Sequence, residues 1–222
     1  MKKKIKTRIL TYLISLSLLG IVLVTLTGVY FTRQATLHKH FESTKFIASE
    51  ILHNVNEVYK VAANNVTVIA ENSLIKESLS SPKILNKELN KLKLILGTYD
   101  DITVLTPEGE VLTSTDYNFT RAWKYHDYFL NTVDTKKTQA SNAYFLPDPL
   151  RYITTFTAPV FDKTGKLTAV IAAQLNMDKI HSIVQHVSLN KTGHAYLLDK
   201  NNLYISHYNR DKILTTADSG LS

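Results

Sequence analysis

The residues best suited to chemistry lie in one stretch of eleven, FTRAWKYHDYF at 119–129, which holds one arginine, one tryptophan and four other aromatic rings. A guanidinium offers two parallel, charge-assisted hydrogen bonds to a carboxylate, and large rings exclude water from such a contact. The competing interpretation is a surface arginine, Arg121, paired with Asp116 or Asp127, with the rings packed in the core. The two interpretations differ in whether Arg121 faces a bound molecule or solvent.

Other chemistries find little support in the sequence. The chain has no cysteine, which excludes disulfides, thiolate metal sites and cysteine nucleophiles. Its histidines lack ligand spacing, since His38 and His40 diverge on a helix and His181 and His186 stand five positions apart, so we expect no metal. Neither a G-x-S-x-G serine motif nor a phosphate-binding glycine loop is present. We therefore expect no enzyme activity and no cofactor.

The positive charge of the chain is concentrated at its N-terminus. Of 26 Lys and Arg residues in 222, five lie within the first eight positions, which leaves 21 against 19 Asp and Glu in the remainder. A chain that binds nucleic acid needs a basic surface along which the phosphates can run. The formal net charge of +7 therefore indicates a basic tail, and no nucleic-acid partner is expected.

Residues 9–31, ILTYLISLSLLGIVLVTLTGVYF, contain no charged side chain and are long enough to span about 30 Å of hydrocarbon. A cleavable signal peptide is the alternative, but its apolar core would run only about 7 to 15 residues. We interpret the segment as an uncleaved transmembrane signal anchor. Because the basic residues precede it, we expect residues 1–8 in the cytoplasm, residues 32–222 outside, and a single pass through the inner (plasma) membrane.

The elements that must position the aromatic stretch begin with a long helix. From Gln34 to about Ser78 there is no Pro or Gly, and apolar residues recur in steps of three and four, which predicts an amphipathic helix that continues from the membrane as a stalk. Its apolar stripe predicts a parallel homodimer. A second helix is expected over 83–96. The stripe comprises Phe46, Ile47, Ile51, Val55, Val58, Ala62, Val66 and Ile69.

After Gly97 the apolar period changes to that of strands. DITVLTPEGEVLTSTD predicts a hairpin over 101–115, and the sequence from 142 to 177 predicts further strands joined by Pro-Asp-Pro and Lys-Thr-Gly-Lys turns. A helix is expected over 179–187 with Asp178 as its N-cap, then a hairpin over 194–207. The fold class is α+β, an antiparallel sheet with flanking helices followed by the opening of a second.

This order of elements resembles the double Cache family of extracytoplasmic sensor domains. The most specific segments are APVFDKTGKL at 158–167 and TGHAYLLD at 192–199. The resemblance covers residues 9 to about 210 and implies a PAS-like sheet that binds a small molecule in its membrane-distal module. It divides the chain into a stalk over 32–80, a distal module over 81–187 and an incomplete proximal module over 188–222. Because the proximal module is incomplete, we expect the chain to be a fragment or a truncated product.

In the amino-acid-binding branch of this family an Arg-x-Trp-Tyr motif holds the ligand carboxylate. Arg121 and Trp123 match its first and third positions, so the resemblance implies that Arg121 binds the carboxylate. Trp123 and Tyr125 would form the apolar walls. Tyr144 and Asp148 fall in the region of the second group of binding residues, although Asp148 lies between two prolines and a turn role is the alternative.

Two departures from the family pattern change the expected ligand. Lys124 stands where the motif has a tyrosine, with Tyr125 one place later, and Gln174 stands where an aspartate binds the ligand ammonium. A neutral amide recognises an ammonium less strongly than a carboxylate does. We therefore expect a small organic acid first and an α-amino acid second.

The resulting functional hypothesis is an extracytoplasmic small-molecule sensor of a membrane-anchored signal-transduction receptor. The receptor classes that the resemblance allows are chemotaxis receptors, histidine kinases and cyclic-di-nucleotide enzymes such as diguanylate cyclases. The alternative is a membrane-anchored structural or adhesion protein without a small ligand, which would bury a fully packed sheet and leave Arg121 in solvent.

Overall fold

The computed structural model describes residues 2–116, 123–147, 150–189 and 193–217. The chain divides into two units, residues 1–50 and residues 51–222. The first unit is helical throughout its described residues, and the helix is long and apolar enough to cross a membrane. The mean hydropathy of its most apolar 18-residue window is 2.2, and none of that window is buried against protein.

Helices form where the apolar periodicity predicts them, with differences in their bounds, and Asp127–Thr135 forms a further helix that has no counterpart among the predicted elements. The predicted N-cap Asp178 is instead the first residue of its helix, and Met177 is the N-cap. The sequence predicts a helix to about Ser78, whereas the first helix ends at Glu71 and a short second one follows. The break lies at Asn72, whose side-chain oxygen accepts a hydrogen bond from the backbone N–H of Leu74 at 2.9 Å and so caps the second helix. The helices are α1 (Lys2–Glu71), α2 (Ser73–Ser78), α3 (Pro82–Leu96), α4 (Asp127–Thr135) and α5 (Asp178–Gln185).

The principal sheet has the order β2-β1-β6-β5-β3, with β4 also paired to β5, and all of its pairings are antiparallel. The predicted 101–115 hairpin forms around Pro107, Glu108 and Gly109. Two short pairs, β7 with β8 and β9 with β10, follow α5. The strands are β1 (Tyr99–Leu105), β2 (Val111–Ser114), β3 (Gln139–Ala140), β4 (Tyr144–Pro147), β5 (Leu150–Phe161), β6 (Leu167–Asn176), β7 (Ser188–Leu189), β8 (Gly193–His194), β9 (Leu197–Leu198) and β10 (Tyr204–Ser206).

One face of the sheet packs against the helices and forms the main core. Helices α1 and α3 contribute buried residues such as Val66 and Leu89, and the strands contribute alternate residues such as Ile102 and Ile171. Tyr99 reinforces this contact, because its hydroxyl donates a 2.6 Å hydrogen bond to the backbone carbonyl of Ala62 in α1. Burial raises the pKa of this phenol above its ordinary value. The helical face of the sheet is therefore tied to α1 by both packing and a buried hydrogen bond.

A β-bulge in β1 changes which of its residues face the helices. Tyr99 pairs with Leu175 while Asp101 pairs with Gln174, so Asp100 is the extra residue between them. The bulge lets Tyr99 point to the helices while Asp101 lies on the opposite face, beside Thr103. The Asp101 side chain is fully buried.

Four donors satisfy the buried Asp101 carboxylate. Oδ1 accepts from the hydroxyls of Ser114 and Thr115, both at 2.8 Å, and from the backbone N–H of Asp116 at 2.9 Å. Oδ2 accepts from the Thr103 hydroxyl at 2.6 Å. Charge-assisted bonds of this kind offset the cost of burying a carboxylate. They also fix where the chain leaves β2.

The part of the chain that follows α5 contacts that helix through two polar pairs. Nδ1 of His181 lies 3.0 Å from the Ser206 hydroxyl of β10, and Asp178 forms an ion pair with Arg210 at 3.1 Å. The predicted 194–207 hairpin is shorter than expected. Strand β8 pairs with β7, so only β9 and β10 form the hairpin.

We predict that Asp101→Asn destabilises the domain. The amide would direct an N–H at a cluster of donors and leave buried groups unpaired, so the free energy of unfolding should fall by about 2–4 kcal/mol. Urea unfolding monitored by tryptophan fluorescence measures the change. Asp134→Asn, at an exposed position on α4, is the control and should change the value by less than about 0.5 kcal/mol. Equal effects of the two substitutions would contradict the assigned role of Asp101.

We also predict a pH-dependent contribution from His181. Burial lowers its pKa below the ordinary value of 6.5, the Arg210 charge acts in the same direction and Asp178 opposes both. The folded state therefore prefers neutral His181, so its contribution to stability is complete above about pH 6.5 and declines as the pH falls through the lowered pKa. His181→Gln should weaken the fall of stability between about pH 7 and 5, measured by urea unfolding. His53→Gln, exposed on α1, should not.

Candidate functional site

Three adjacent strands place polar side chains in one row on the face of the sheet opposite the helices. Asp101 of β1 pairs with Gln174 of β6, and Gln174 pairs with Thr155 of β5. The hydroxyl of Tyr144 extends the row, because it lies 2.6 Å from the Thr155 hydroxyl. We call these four residues the polar row. Asp101, Gln174 and Thr155 are fully buried, and Tyr144 is partly buried.

Gln174 is the unusual member of the polar row. Neither its Oε1 nor its Nε2 has a hydrogen-bond partner among the described residues, although the side chain is fully buried. A buried polar group left unpaired costs about 1–3 kcal/mol, so native proteins pair nearly all of them. An amide that can both donate and accept at this position is a candidate contact for a polar ligand.

Aromatic side chains border the polar row. Trp123 is fully buried and packs with Leu105, Tyr128 and Val170 on the same face of the sheet. Its ring meets that of Tyr128 edge to face, with centroids 6.5 Å apart. These rings supply an apolar wall beside polar groups, which is the usual composition of a small-molecule site.

Gly109 determines how closely the β1–β2 turn approaches the tryptophan segment. Its φ is +88°, and a Cβ at this position would lie 2.8 Å from the Cβ of Lys124. Only glycine fits both the left-handed backbone and this contact. The turn therefore packs directly on the backbone next to Trp123 and holds that segment against the sheet.

An open cavity of about 500 Å³ lies on the α4 side of Tyr144. Its lining combines aromatic and amide side chains from the start of α4 and from the connection between β3 and β4, including His126, Asn131 and Asn142. The His126 and Tyr128 rings stack there with centroids 5.1 Å apart. Tyr144 belongs both to this cavity and to the polar row, so it connects the buried groups to the surface.

The structure brings together three of the six residues predicted to contact a ligand. Trp123, Tyr144 and Gln174 lie on or beside the polar row. Tyr125 does not join them, because its side chain is 72% exposed and lies 5.2 Å below the Lys124 ammonium. The other two, Arg121 and Asp148, lie outside the described residues.

Sequence reasoning missed Asp101, Thr155 and Arg151. Asp101 and Thr103 alternate with apolar residues in DITVL, and Thr155 alternates with Phe156 in β5, so a period of two was the available signal. Arg151 shares the odd-numbered side of β5 with Ile153 and Thr155. Its guanidinium pairs with Asp100 at 3.1 Å and with Asp116 at 3.6 Å.

Solved structures share this fold. A protein described as methyl-accepting chemotaxis protein X matches with a TM-score of 0.66 at 13% identity, over 80% of this chain and 77% of that one. The ligand-binding domain of the Campylobacter jejuni chemoreceptor Tlp3, in complex with 4-methylisoleucine, matches with a TM-score of 0.66 at 13% identity, over 82% of this chain and 75% of that one. The ligand-binding domain of the Pseudomonas aeruginosa chemoreceptor PctC, in complex with GABA, matches with a TM-score of 0.53 at 14% identity, over 74% of this chain and 78% of that one.

At the level of sequence, the chain matches a protein-family model. None of the curated proteins compared with the chain matches it. The model of the Cache domain, in its double form, matches residues 32–221, which covers most of the chain and the whole of the site described above. The chain therefore belongs to the Cache domain family, whose members are sensory ligand-binding domains.

Proposed function

We propose that this protein binds a small carboxylate on the polar row and senses it outside the cell. The observation that carries the proposal is the buried Gln174 amide, which has no partner among the described residues and lies between Asp101 and Thr155. Trp123 supports it as an apolar wall next to the row. The proposed role is ligand binding, which is the role of Cache domains as a family.

The ligand we favour is a small organic acid, with α-amino acids second. Arg121 is the proposed anchor for the carboxylate on the strength of its motif position. Gln174 provides a neutral amide where a carboxylate would be needed to hold an ammonium strongly. The Tlp3 and PctC structures hold 4-methylisoleucine and GABA, and both compounds carry a carboxylate as well as an amine, which supports the carboxylate half of the proposal.

Binding on the polar row would act on α1 through β1. This strand carries Asp101 on the site face, and its other face is tied to α1 by the Tyr99 hydrogen bond. A ligand that prefers one arrangement of the sheet would shift the population of α1 arrangements by its difference in affinity. We infer that the signal leaves the domain along this helix, toward an output of the chemotaxis-receptor, histidine-kinase or diguanylate-cyclase type.

We predict that a thermal-shift screen of the full chain in detergent returns a carboxylate. The panel contains organic acids, amino acids, amines and purines. A ligand at one hundred times its dissociation constant stabilises by about 2.7 kcal/mol, which raises the melting temperature by a few degrees for a domain of this size. Arg121→Ala should abolish the shift, and Gln174→Glu should move the preference from organic acids toward amino acids.

The control for this screen is Lys91→Ala, which breaks an exposed ion pair with Glu88 on α3 and should leave binding unchanged. Hits confined to amines or purines would contradict the carboxylate proposal. If a carboxylate still stabilises Arg121→Ala, the proposed ligand class would stand, but the role of Arg121 as the anchor would be wrong.

We further propose that the chain is anchored in the plasma membrane by residues 9–31 and dimerises through the stalk. Part of the predicted apolar stripe packs within the chain, because Val55, Ala62 and Val66 are buried. The dimer proposal therefore rests on Leu37 and Phe41, which are one helical turn apart and each more than half exposed, since an exposed apolar surface of this kind is stabilised by an apolar partner. The basic residues before the span favour an N-terminus in the cytoplasm.

We predict that sedimentation of the full chain in detergent gives a dimer at tens of micromolar. Leu37→Lys combined with Phe41→Lys should shift the equilibrium toward monomer, because two charges on one side of the helix cannot be buried in an apolar interface. Lys39→Ala, exposed on the other side of α1, is the control. A wild-type monomer at that concentration would contradict the dimer.

A further inference from the structure

The cavity of about 500 Å³ beside Tyr144 has a wall that comes from a distant part of the chain. Besides the start of α4 and the connection between β3 and β4, its lining includes Lys200, which lies in the turn between β9 and β10. Tyr144 relates this cavity to the polar row, because its hydroxyl lies 2.6 Å from that of Thr155. A lysine on this wall places a positive charge beside the candidate site.

Hydrogen bonds fix the backbone of the turn that carries Lys200. Oδ1 of Asp199 accepts from the backbone N–H of Asn201 at 2.8 Å and from that of Leu203 at 2.9 Å. An aspartate that bonds the backbone of its own turn in this way defines the turn geometry. Lys200 lies between these residues, is exposed, and forms no ion pair with any residue that the structure describes. Its backbone is therefore held in place while its ammonium remains available to an anion.

The same hairpin borders a connection that is bonded to the polar row. Residues 141–143 line the cavity beside Tyr144, and together with residues 197–199 they also line a second cavity of about 290 Å³. The backbone N–H of Ser141 donates to the Thr155 carbonyl at 2.8 Å, and the Ser141 hydroxyl accepts from the Thr155 N–H at 2.9 Å. One short connection, hydrogen-bonded to the polar row, therefore borders the cavity that Lys200 lines.

Two opposite charges on the cavity lining define which end group a ligand would carry there. Lys200 would bind an anionic group, and Asp127 would bind a cationic one. Asp127 lies in the first turn of α4, where the positive end of the helix dipole already stabilises its carboxylate. Lys200 has no such compensation among the described residues. The charge that the cavity leaves to be matched is therefore positive, which favours an anionic group.

We propose that Lys200 is a specificity-determining residue that binds a second carboxylate, so that the ligand is a dicarboxylate. One carboxylate lies on the polar row, and the other occupies the cavity beside Tyr144, where the Lys200 ammonium binds it. The proposal rests on the proposed function, since it names the ligand class of the same site. It also makes the β9–β10 hairpin part of that site, which gives the ligand a contact with the chain beyond α5 in addition to the proposed path through α1.

The test compares three compounds that have the same chain length and different end groups. Glutarate ends in a second carboxylate, 4-aminobutyrate in an ammonium and pentanoate in a methyl group. In calorimetric titrations of the full chain in detergent, glutarate should bind about fivefold tighter than pentanoate, the upper range for one exposed ion pair. Lys200→Ala should remove this preference and leave the pentanoate affinity within about twofold of wild type, which also shows that the variant is folded. Lys200→Arg keeps the charge and should retain the preference.

Lys163→Ala is the matched control. Lys163 also follows an aspartate that anchors its turn, since Oδ1 of Asp162 accepts from the backbone N–H of Thr164 at 2.8 Å and from that of Lys166 at 3.0 Å. It lines a different cavity, so its substitution should leave all three affinities unchanged. Asp127→Asn should tighten glutarate binding, because it removes a like charge from the cavity of the second carboxylate.

The possible contrary results separate this proposal from the proposed function. Equal affinities for glutarate and pentanoate, or a glutarate preference that survives Lys200→Ala, would overturn the role of Lys200 and leave carboxylate binding in place. Tightest binding of 4-aminobutyrate, weakened by Asp127→Asn, would assign the cavity to an ammonium and overturn the dicarboxylate. If none of the three compounds binds while another carboxylate does, the dicarboxylate is likewise wrong. If no carboxylate binds at all, both proposals are wrong.

Discussion

The buried carboxylate of Asp101 is the interaction on which the rest of the site depends. A carboxylate without solvent is costly unless donors surround it, and here three hydroxyls and one backbone N–H do so. Those donors come from β1, from the end of β2 and from the residues just after it. Satisfying one charge therefore fixes the positions of Ser114, Thr115 and Asp116 at the end of β2.

Because of the bulge at Asp100, strand β1 directs different residues to the two faces of the sheet, and the two faces have different contacts. On the helical face, apolar residues and the Tyr99 hydroxyl hold α1. On the opposite face, the polar row presents hydroxyls and a buried amide beside aromatic rings. Strand β1 belongs to both faces. In the proposed mechanism, a shift of β1 on ligand binding would therefore reach α1, with the binding site and the output helix on opposite sides of one sheet.

Helices α1, α3 and α5, the hairpin around Gly109 and the α+β class could be predicted from periodicity and turn residues, whereas α4 could not, because its few apolar residues lie in a segment rich in rings and charges. The family pattern could point to Trp123, Tyr144 and Gln174 as candidate site residues, but their grouping depends on strand register that a single sequence does not show. Tyr125 illustrates the limit, because a ring one position from a motif residue can face solvent in a tight turn. The role of Asp101 depends on how the β1–β2 hairpin directs its donors, and that of Arg151 on contacts with residues distant in sequence; neither is visible in a single sequence.

The central claim is that a ligand contacts the Gln174 amide on the polar row. The most direct measurement is the NMR signal of the Gln174 side-chain NH₂, assigned by its loss in Gln174→Leu and recorded with the carboxylate that gives the largest thermal shift. We expect this signal to move on binding and its exchange with solvent to slow, because the buried amide gains a partner. A signal that stays unchanged at saturating ligand, while signals elsewhere move, would contradict the account.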